Sequence, residues 1–241
     1  YLASSDFAMI YTLGTQASQE VFSVIKEKPM IFGAITDPIA AKFYDGSLQK
    51  PLKNITGTQD IWPYPAQFDL MQKLIPKLTK LGIVYNSGEV NAQVSVDYIR
   101  KECRSRNLQL LEQIVTQESQ IEVALGGIIA QGMDAMFIPA DNTAQTASQL
   151  IISKCAQSNI PVFTGIAEIV EKGALATVGI NYYELGKVNA SQAVQVIKGA
   201  SARSISVEVA SKGDVYLNLK AAASLGVVVS DEIKKTAVKL F

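Results

Sequence analysis

The chain contains no histidine. That absence removes the commonest general base and the commonest zinc ligand. There is no net charge either: 22 Lys and Arg balance 22 Asp and Glu, and no basic cluster of the kind a nucleic-acid face needs is present. The densest basic runs, Lys101 to Arg106 and Lys234-Lys235, fall in helical patterns and read as solvated faces. Cysteine is scarce. Cys103 and Cys155 lie in helical patterns of neighbouring units, a disulfide has no support from their spacing, and two free thiols are expected. No apolar stretch reaches the ~20 residues that cross a bilayer. No signal peptide is visible. Tyr1 is not Met, and Asp6 to Tyr11 already reads as the middle of a repeating unit, so a fragment or a processed chain is expected.

What is there is a globular composition: 48% hydrophobic and 18% charged over 241 residues, long enough for one large domain or two ordinary ones. Short apolar runs alternate with helical patterns. Strands are expected at Phe7 to Tyr11, Met30 to Ala34, around Ile55, and then Leu81 to Tyr85, Leu108 to Val115, Ala135 to Ile138, Ile160 to Phe163, Ala174 to Gly179, Val207 to Ala210 and Val215 to Asn218. Helices are expected at 16–27, 65–77, 91–106, 121–131, 143–158, 168–173, 183–198, 219–225 and 230–240, the last with Ser230 as its N-cap. Strands alternating with helices imply βαβ units and parallel sheets. The pattern predicts two doubly wound α/β lobes. The first is expected over 1–78 plus about 205–241, the second over 79–204, with the break where Pro76 ends a helix and a fresh strand begins.

Polar clusters follow the apolar runs. They are Thr36-Asp37-Pro38, Tyr85-Asn86-Ser87-Gly88-Glu89, Pro139-Ala140-Asp141-Asn142-Thr143 and Thr164-Gly165. In an open parallel sheet the loops at the carboxyl ends of the strands line the ligand crevice. Asp37 either accepts from an ammonium or hydroxyl ligand or caps the next turn. Ser87 and Gly88 leave backbone N–H groups near a helix start, a site for a ligand carboxylate. Glu89 and Asn91 are placed to hold a donor, and an ordinary capped turn explains the same residues. Asp141 and Asn142 exceed what capping alone requires. Asn181-Tyr182-Tyr183 offers rings to stack on a ligand or to pack an interface. Trp62, in a proline-flanked loop, is a candidate wall or a plain packing element. Asp37, Glu89 and Asp141 have no metal-ligand spacing, no serine has a histidine partner, and the expectation is a binding protein with no cofactor rather than an enzyme.

With those stretches in view, the chain resembles the ABC-transporter substrate-binding family that includes the tryptophan- and tyrosine-binding lipoproteins. The resemblance runs from Leu2 to the end. It is carried by Thr36-Asp37-Pro38, Gly82 to Asn91, Pro139 to Thr143, Ile160 to Phe163, Gly173 to Ala176 and Tyr182-Tyr183-Glu184-Leu185-Gly186. It implies a type I periplasmic-binding-protein fold, two lobes with a ligand cleft between them and closure by a hinge. It implies a small-molecule ligand, often an aromatic amino acid, delivered to a membrane permease by an extracytoplasmic receptor, periplasmic or lipid-anchored, and monomeric. Thr15 and Gln16 match first-lobe cleft positions. Asn86, Ser87, Glu89, Asn91, Asp141 and Asn142 match second-lobe ones. On this reading Asp141 or Glu89 meets an ammonium, and Tyr85, Trp62 or Tyr183 covers an apolar side.

Three departures from the family pattern stand out. The first lobe lacks its opening β-α-β unit. The residue after Gly165 is Ile166 where an acid is common, and Asn181 stands where an acid is common before the tyrosine pair. Losing two carboxylates weakens the case for a cationic ligand, because an unpaired buried ammonium is costly. The alternative is the ligand-sensing core of a transcription regulator with the same fold.

Overall fold

The computed structural model describes residues 6–210 and 212–241. Residues 1–5 and Ser211, both within the span expected for the first lobe, lie outside the described residues. The chain divides into two compact units, Tyr1–Ile61 with Asn181–Ser211, and Trp62–Ile180 with Lys212–Phe241.

The first unit begins with β1 (Ile10–Leu13), α1 (Thr15–Val24), β2 (Met30–Ile35) and β3 (Ile55–Gln59). β2 is buried along nearly its whole length, the pattern of a central parallel strand covered on both faces. Phe32, Ile35, Phe43 and Ile55 form the core on one side of this sheet. β1 begins three residues later than the apolar run suggests. Its register with β2, Ile10 opposite Met30 through Leu13 opposite Gly33, selects the strand, and Phe7 to Met9 stay outside it.

The second unit opens with α2 (Tyr64–Leu74), β4 (Lys80–Asn86), α3 (Val90–Ser105), β5 (Gln109–Val115), α4 (Ile121–Ile129) and β6 (Ala135–Ile138). α5 (Asn142–Thr146) and α6 (Ser148–Gln157) follow, separated at Ala147 where one helix was expected. Then come β7 (Val162–Thr164), α7 (Ala167–Glu171) and β8 (Ala176–Gly179). The chain next returns to the first unit with α8 (Tyr182–Ile197) and β9 (Glu208–Val209). α8 lies on β2 and β3, with Leu185, Asn189, Gln192 and Val196 on its buried face at helical spacing. The first sheet has the order β1-β2-β3-β9, all parallel.

The last stretch rejoins the second unit as β10 (Asp214–Leu217), α9 (Leu219–Ser224), α10 (Asp231–Thr236) and β11 (Ala237–Leu240). The second sheet has the order β11-β10-β8-β7-β6-β4-β5, parallel except where β10 runs against β8. Its core gathers Val84, Leu125, Ile128, Met136, Ile138 and Ile151.

The structure departs from the expected lobe boundaries at both ends. α2 belongs to the second unit because it packs on β8 and α3, with Gln67 Nε2 donating to Val178 O at 2.9 Å. Residues 212–241 also belong there, because β10 pairs with β8, while 181–204, expected in the second lobe, build the first unit. The expected helix 230–240 stops at Thr236. Ser230 caps it as predicted, accepting from Ile233 N at 3.3 Å, but Ala237–Leu240 pairs with β10 instead. Cys103 and Cys155 are buried free thiols. Among the described residues no helix is long and apolar enough to cross a membrane.

Candidate functional site

In each unit the strand ends carry the candidate residues. In the second unit, the loops after β4 and β6 are tied together. Asp141 is fully buried, with Oδ1 accepting from Ala144 N and Oδ2 from Asn86 N, both at 2.6 Å. It is the N-cap of α5, so the structure supports its capping role. Burial pushes its carboxyl up to about 6 against the pull of those two N–H groups, and the nearby Glu89 charge adds to the rise.

Glu89 is more heavily engaged. Its Oε2 accepts from Asn142 Nδ2 at 2.7 Å, Asn142 N at 2.9 Å and Asn91 Nδ2 at 3.0 Å. Its Oε1 accepts from the Thr143 hydroxyl at 2.8 Å and Thr143 N at 3.1 Å. Burial alone raises this carboxyl, but the Asn142, Asn91 and Thr143 donors outweigh it and hold it below its usual range. Asn91 also donates to Ala140 O at 2.9 Å. Asn86 donates to Thr143 Oγ1 at 3.0 Å and accepts from Gly88 N at 2.9 Å. The structure thus brings Asn86, Glu89, Asn91, Asp141 and Asn142 into one cluster, in which the two acids are satisfied by protein donors. Beside that cluster α3 starts without a side-chain cap, next to the half-buried Ser87 and the exposed Gly88.

Trp62 is buried, with its ring on the backbone of Gly165 at the end of β7: a β carbon there would lie 2.1 Å from Trp62 Cδ2. The ring also faces Tyr64 and Phe137, with centroids 6.2 and 6.3 Å away. Tyr85 is buried and its hydroxyl accepts from Arg100 Nη2 at 3.1 Å, which ties it to the Arg100–Glu112 ion pair.

In the first unit, Thr15 is buried and Gln16 exposed in the opening turn of α1, which also lacks a side-chain cap and follows Gly14. Asp37 caps its own turn, accepting from Ile39 N at 2.8 Å and Ala40 N at 3.0 Å. Asn181 caps α8 through Glu184 N at 3.2 Å. Tyr183 is 76% exposed, its ring beneath the Lys187 ammonium at 5.7 Å.

Sequence reasoning passed over Asp60. It follows β3 and is only 7% exposed. Tyr182 Oη donates to its Oδ2 at 3.0 Å, and its own N–H donates to Ile35 O at 3.1 Å. Its Oδ1 is buried with no hydrogen-bond partner. Burial pushes this carboxyl up to about 6, against the Tyr182 and Thr36 side chains. The available signal was an acid directly after an alternating Ile-Thr-Gly-Thr-Gln strand. Among the described residues no three His, Cys, Asp or Glu gather as a metal site. Each unit thus carries polar side chains at the carboxyl ends of its parallel strands, the edge of such a sheet where small molecules bind.

The family model for ABC transporter substrate binding protein matches residues 2–241. The chain belongs to this ABC transporter substrate-binding family. The family is one of solute-binding proteins, not enzymes. A tyrosine-binding protein from Clostridioides difficile is 31% identical over 240 residues, spanning 95% of this chain and 69% of its own. An ABC domain from Streptococcus pneumonia, solved in complex with L-Trp, superposes with a TM-score of 0.94 at 30% identity over 100% of this chain and 81% of that one. A conserved domain protein from Vibrio cholerae gives 0.92 at 29% identity, over 97% and 78%. The two parallel-sheet α/β units are those of the type I periplasmic-binding fold that the sequence resemblance implied.

Proposed function

We propose that this substrate-binding protein is the extracytoplasmic receptor of an ABC importer, capturing an aromatic amino acid or a close derivative and delivering it to a membrane permease. The observation that carries this reading is likeness over the whole chain to a tyrosine-binding protein and to a domain solved with L-Trp. The site chemistry supports it. The uncapped start of α3, beside Ser87 and Gly88, offers N–H groups to an α-carboxylate. The uncapped start of α1 sets Thr15 and Gln16 at the corresponding place in the first unit. Trp62 on Gly165 supplies an aromatic wall. The receptor acts as a monomer, in the periplasm or lipid-anchored at the outer face of the cell membrane. The family match favours this reading over a regulator core.

A thermal-shift screen against the twenty amino acids, nucleosides and small sugars tests the assignment. A ligand at a hundred times its Kd adds about 2.7 kcal/mol of stability. L-tryptophan or L-tyrosine is expected to give the largest shift. A shift only with a neutral, non-amino-acid ligand would overturn the assignment and make Ile166 and Asn181 the marks of a different specificity.

A further inference from the structure

Three acids are buried among the described residues: Asp60, Glu89 and Asp141. They are not alike. Glu89 has both oxygens filled by amide and hydroxyl donors, and Asp141 has both filled by backbone N–H groups. Asp60 has one filled oxygen and one open one, and the open one is sealed from bulk solvent. No ion pair among the described residues involves it; the donors that reach it, the Tyr182 phenol and the Thr36 side chain, are neutral. Its charge is therefore uncompensated as well as its hydrogen bonding incomplete.

A buried, half-satisfied carboxylate is expensive, and native proteins keep few of them. Position says what this one serves. Asp60 sits at the carboxyl end of β3, beside Ile35 at the end of β2 and Tyr182 at the start of α8. That is the edge of a parallel sheet at which ligands of such folds dock. The missing partner must donate a hydrogen bond and should carry positive charge, and a primary ammonium supplies both with three N–H groups.

We propose that Asp60 is the ammonium acceptor of the binding site, its Oδ1 taking a charge-assisted hydrogen bond from the α-ammonium of the bound amino acid. This rests on the amino-acid reading above. It transfers to Asp60 the role that sequence reasoning gave to Asp141 or Glu89, and it explains how the chain meets a cation without acids at 166 and 181. Tyr182 is the positioning residue, holding the carboxylate through Oδ2 and leaving Oδ1 as the acceptor without a protein partner.

The test compares L-tryptophan and L-tyrosine with indole-3-propionate, which lacks the ammonium, by calorimetric titration of the wild type, Asp60→Asn and Tyr182→Phe. The wild type should prefer L-tryptophan to indole-3-propionate. Asp60→Asn should weaken L-tryptophan by at least about 30-fold, the size expected when one side of a charged hydrogen bond is removed. It should leave indole-3-propionate within threefold of its wild-type affinity, so the preference collapses. Tyr182→Phe should narrow the same preference by a smaller factor. Equal L-tryptophan affinity in Asp60→Asn and wild type overturns the assignment of Asp60 and leaves the amino-acid reading standing. So does a loss shared equally by both ligands, which marks a structural residue. If Asp60→Asn does not fold, Tyr182→Phe carries the test: a narrowed preference for L-tryptophan over indole-3-propionate supports the assignment, and an unchanged preference overturns it. A wild type that binds neither aromatic amino acid overturns the functional reading, and the Asp60 assignment with it.

Discussion

The Trp62 indole occupies the space that a side chain at position 165 would need, 2.1 Å from a β carbon placed on Gly165. Glycine is kept there by a close approach of ring to backbone rather than by a turn. Its neighbour Gly179 is similarly confined: a β carbon on it would meet Gly165 O at 2.9 Å.

Gly165→Ala should therefore push the indole off the end of β7. The expected cost is about 1–3 kcal/mol of stability, the usual range for overpacking a filled site. Urea denaturation measures it, and the loss of near-ultraviolet circular dichroism from Trp62 should accompany it. An unchanged midpoint would show that the ring moves freely.

Glu89→Ala removes the acceptor for donors on Asn91, Asn142 and Thr143 at once. The loop after β4 should detach from the start of α5, at a cost of about 2–4 kcal/mol, since buried donors are left unmet. The midpoint of urea unfolding is the readout. A ligand-contact role would instead lower affinity and leave that midpoint in place.

The stability of the ligand-free protein should fall as pH rises from about 4 to about 6. Burial raises both Asp60 and Asp141 to about 6, so in this window the folded chain binds protons that the unfolded chain has released. Stability is greatest below the unfolded pKa and is lost as pH climbs through the folded one. Each acid contributes at most about 3 kcal/mol, from two pKa units at 1.36 kcal/mol each. Glu89, held low, acts the other way, but only below its ordinary value. Urea midpoints at pH 4.5 and 6.5 check the sign. Asp60→Asn should flatten the slope and be more stable than the wild type at pH 7.

Asn189 links α8 to its sheet. Its Oδ1 accepts from Thr58 Oγ1 at 3.2 Å and Tyr11 Oη at 3.3 Å, while its Nδ2 donates to Gln192 Oε1 at 3.0 Å and Phe32 O at 3.2 Å. Asn189→Leu should cost about 2–3 kcal/mol by stranding buried polar groups. Thermal unfolding followed by circular dichroism is the measurement.

The alternation of strands and helices was legible because buried parallel strands are unbroken apolar runs, as Met30 to Ile35 and Ala135 to Ile138 show. Partnership across the chain was not. Ala237-Val238-Lys239-Leu240 fits the tail of an amphipathic helix as well as a strand, and only pairing with β10 decides. The polar clusters were legible as clusters, yet Glu89 and Asp141 look the same in sequence whether they hold a ligand or each other's loops. Asp60 escaped notice for a related reason. Its significance lies in a donor that does not arrive, and a missing donor has no letter in the sequence.

Neither unit is made from one continuous stretch of chain, and that sets an order of assembly during synthesis. Both stretches of this sequence that form the first unit precede position 212, whereas at that point the larger sheet still lacks β10 and β11. Until residues 214–240 emerge, β8 presents a bare backbone edge, the kind of surface on which strands of other chains add. A nascent chain stalled in that interval would be exposed to aggregation on its larger half.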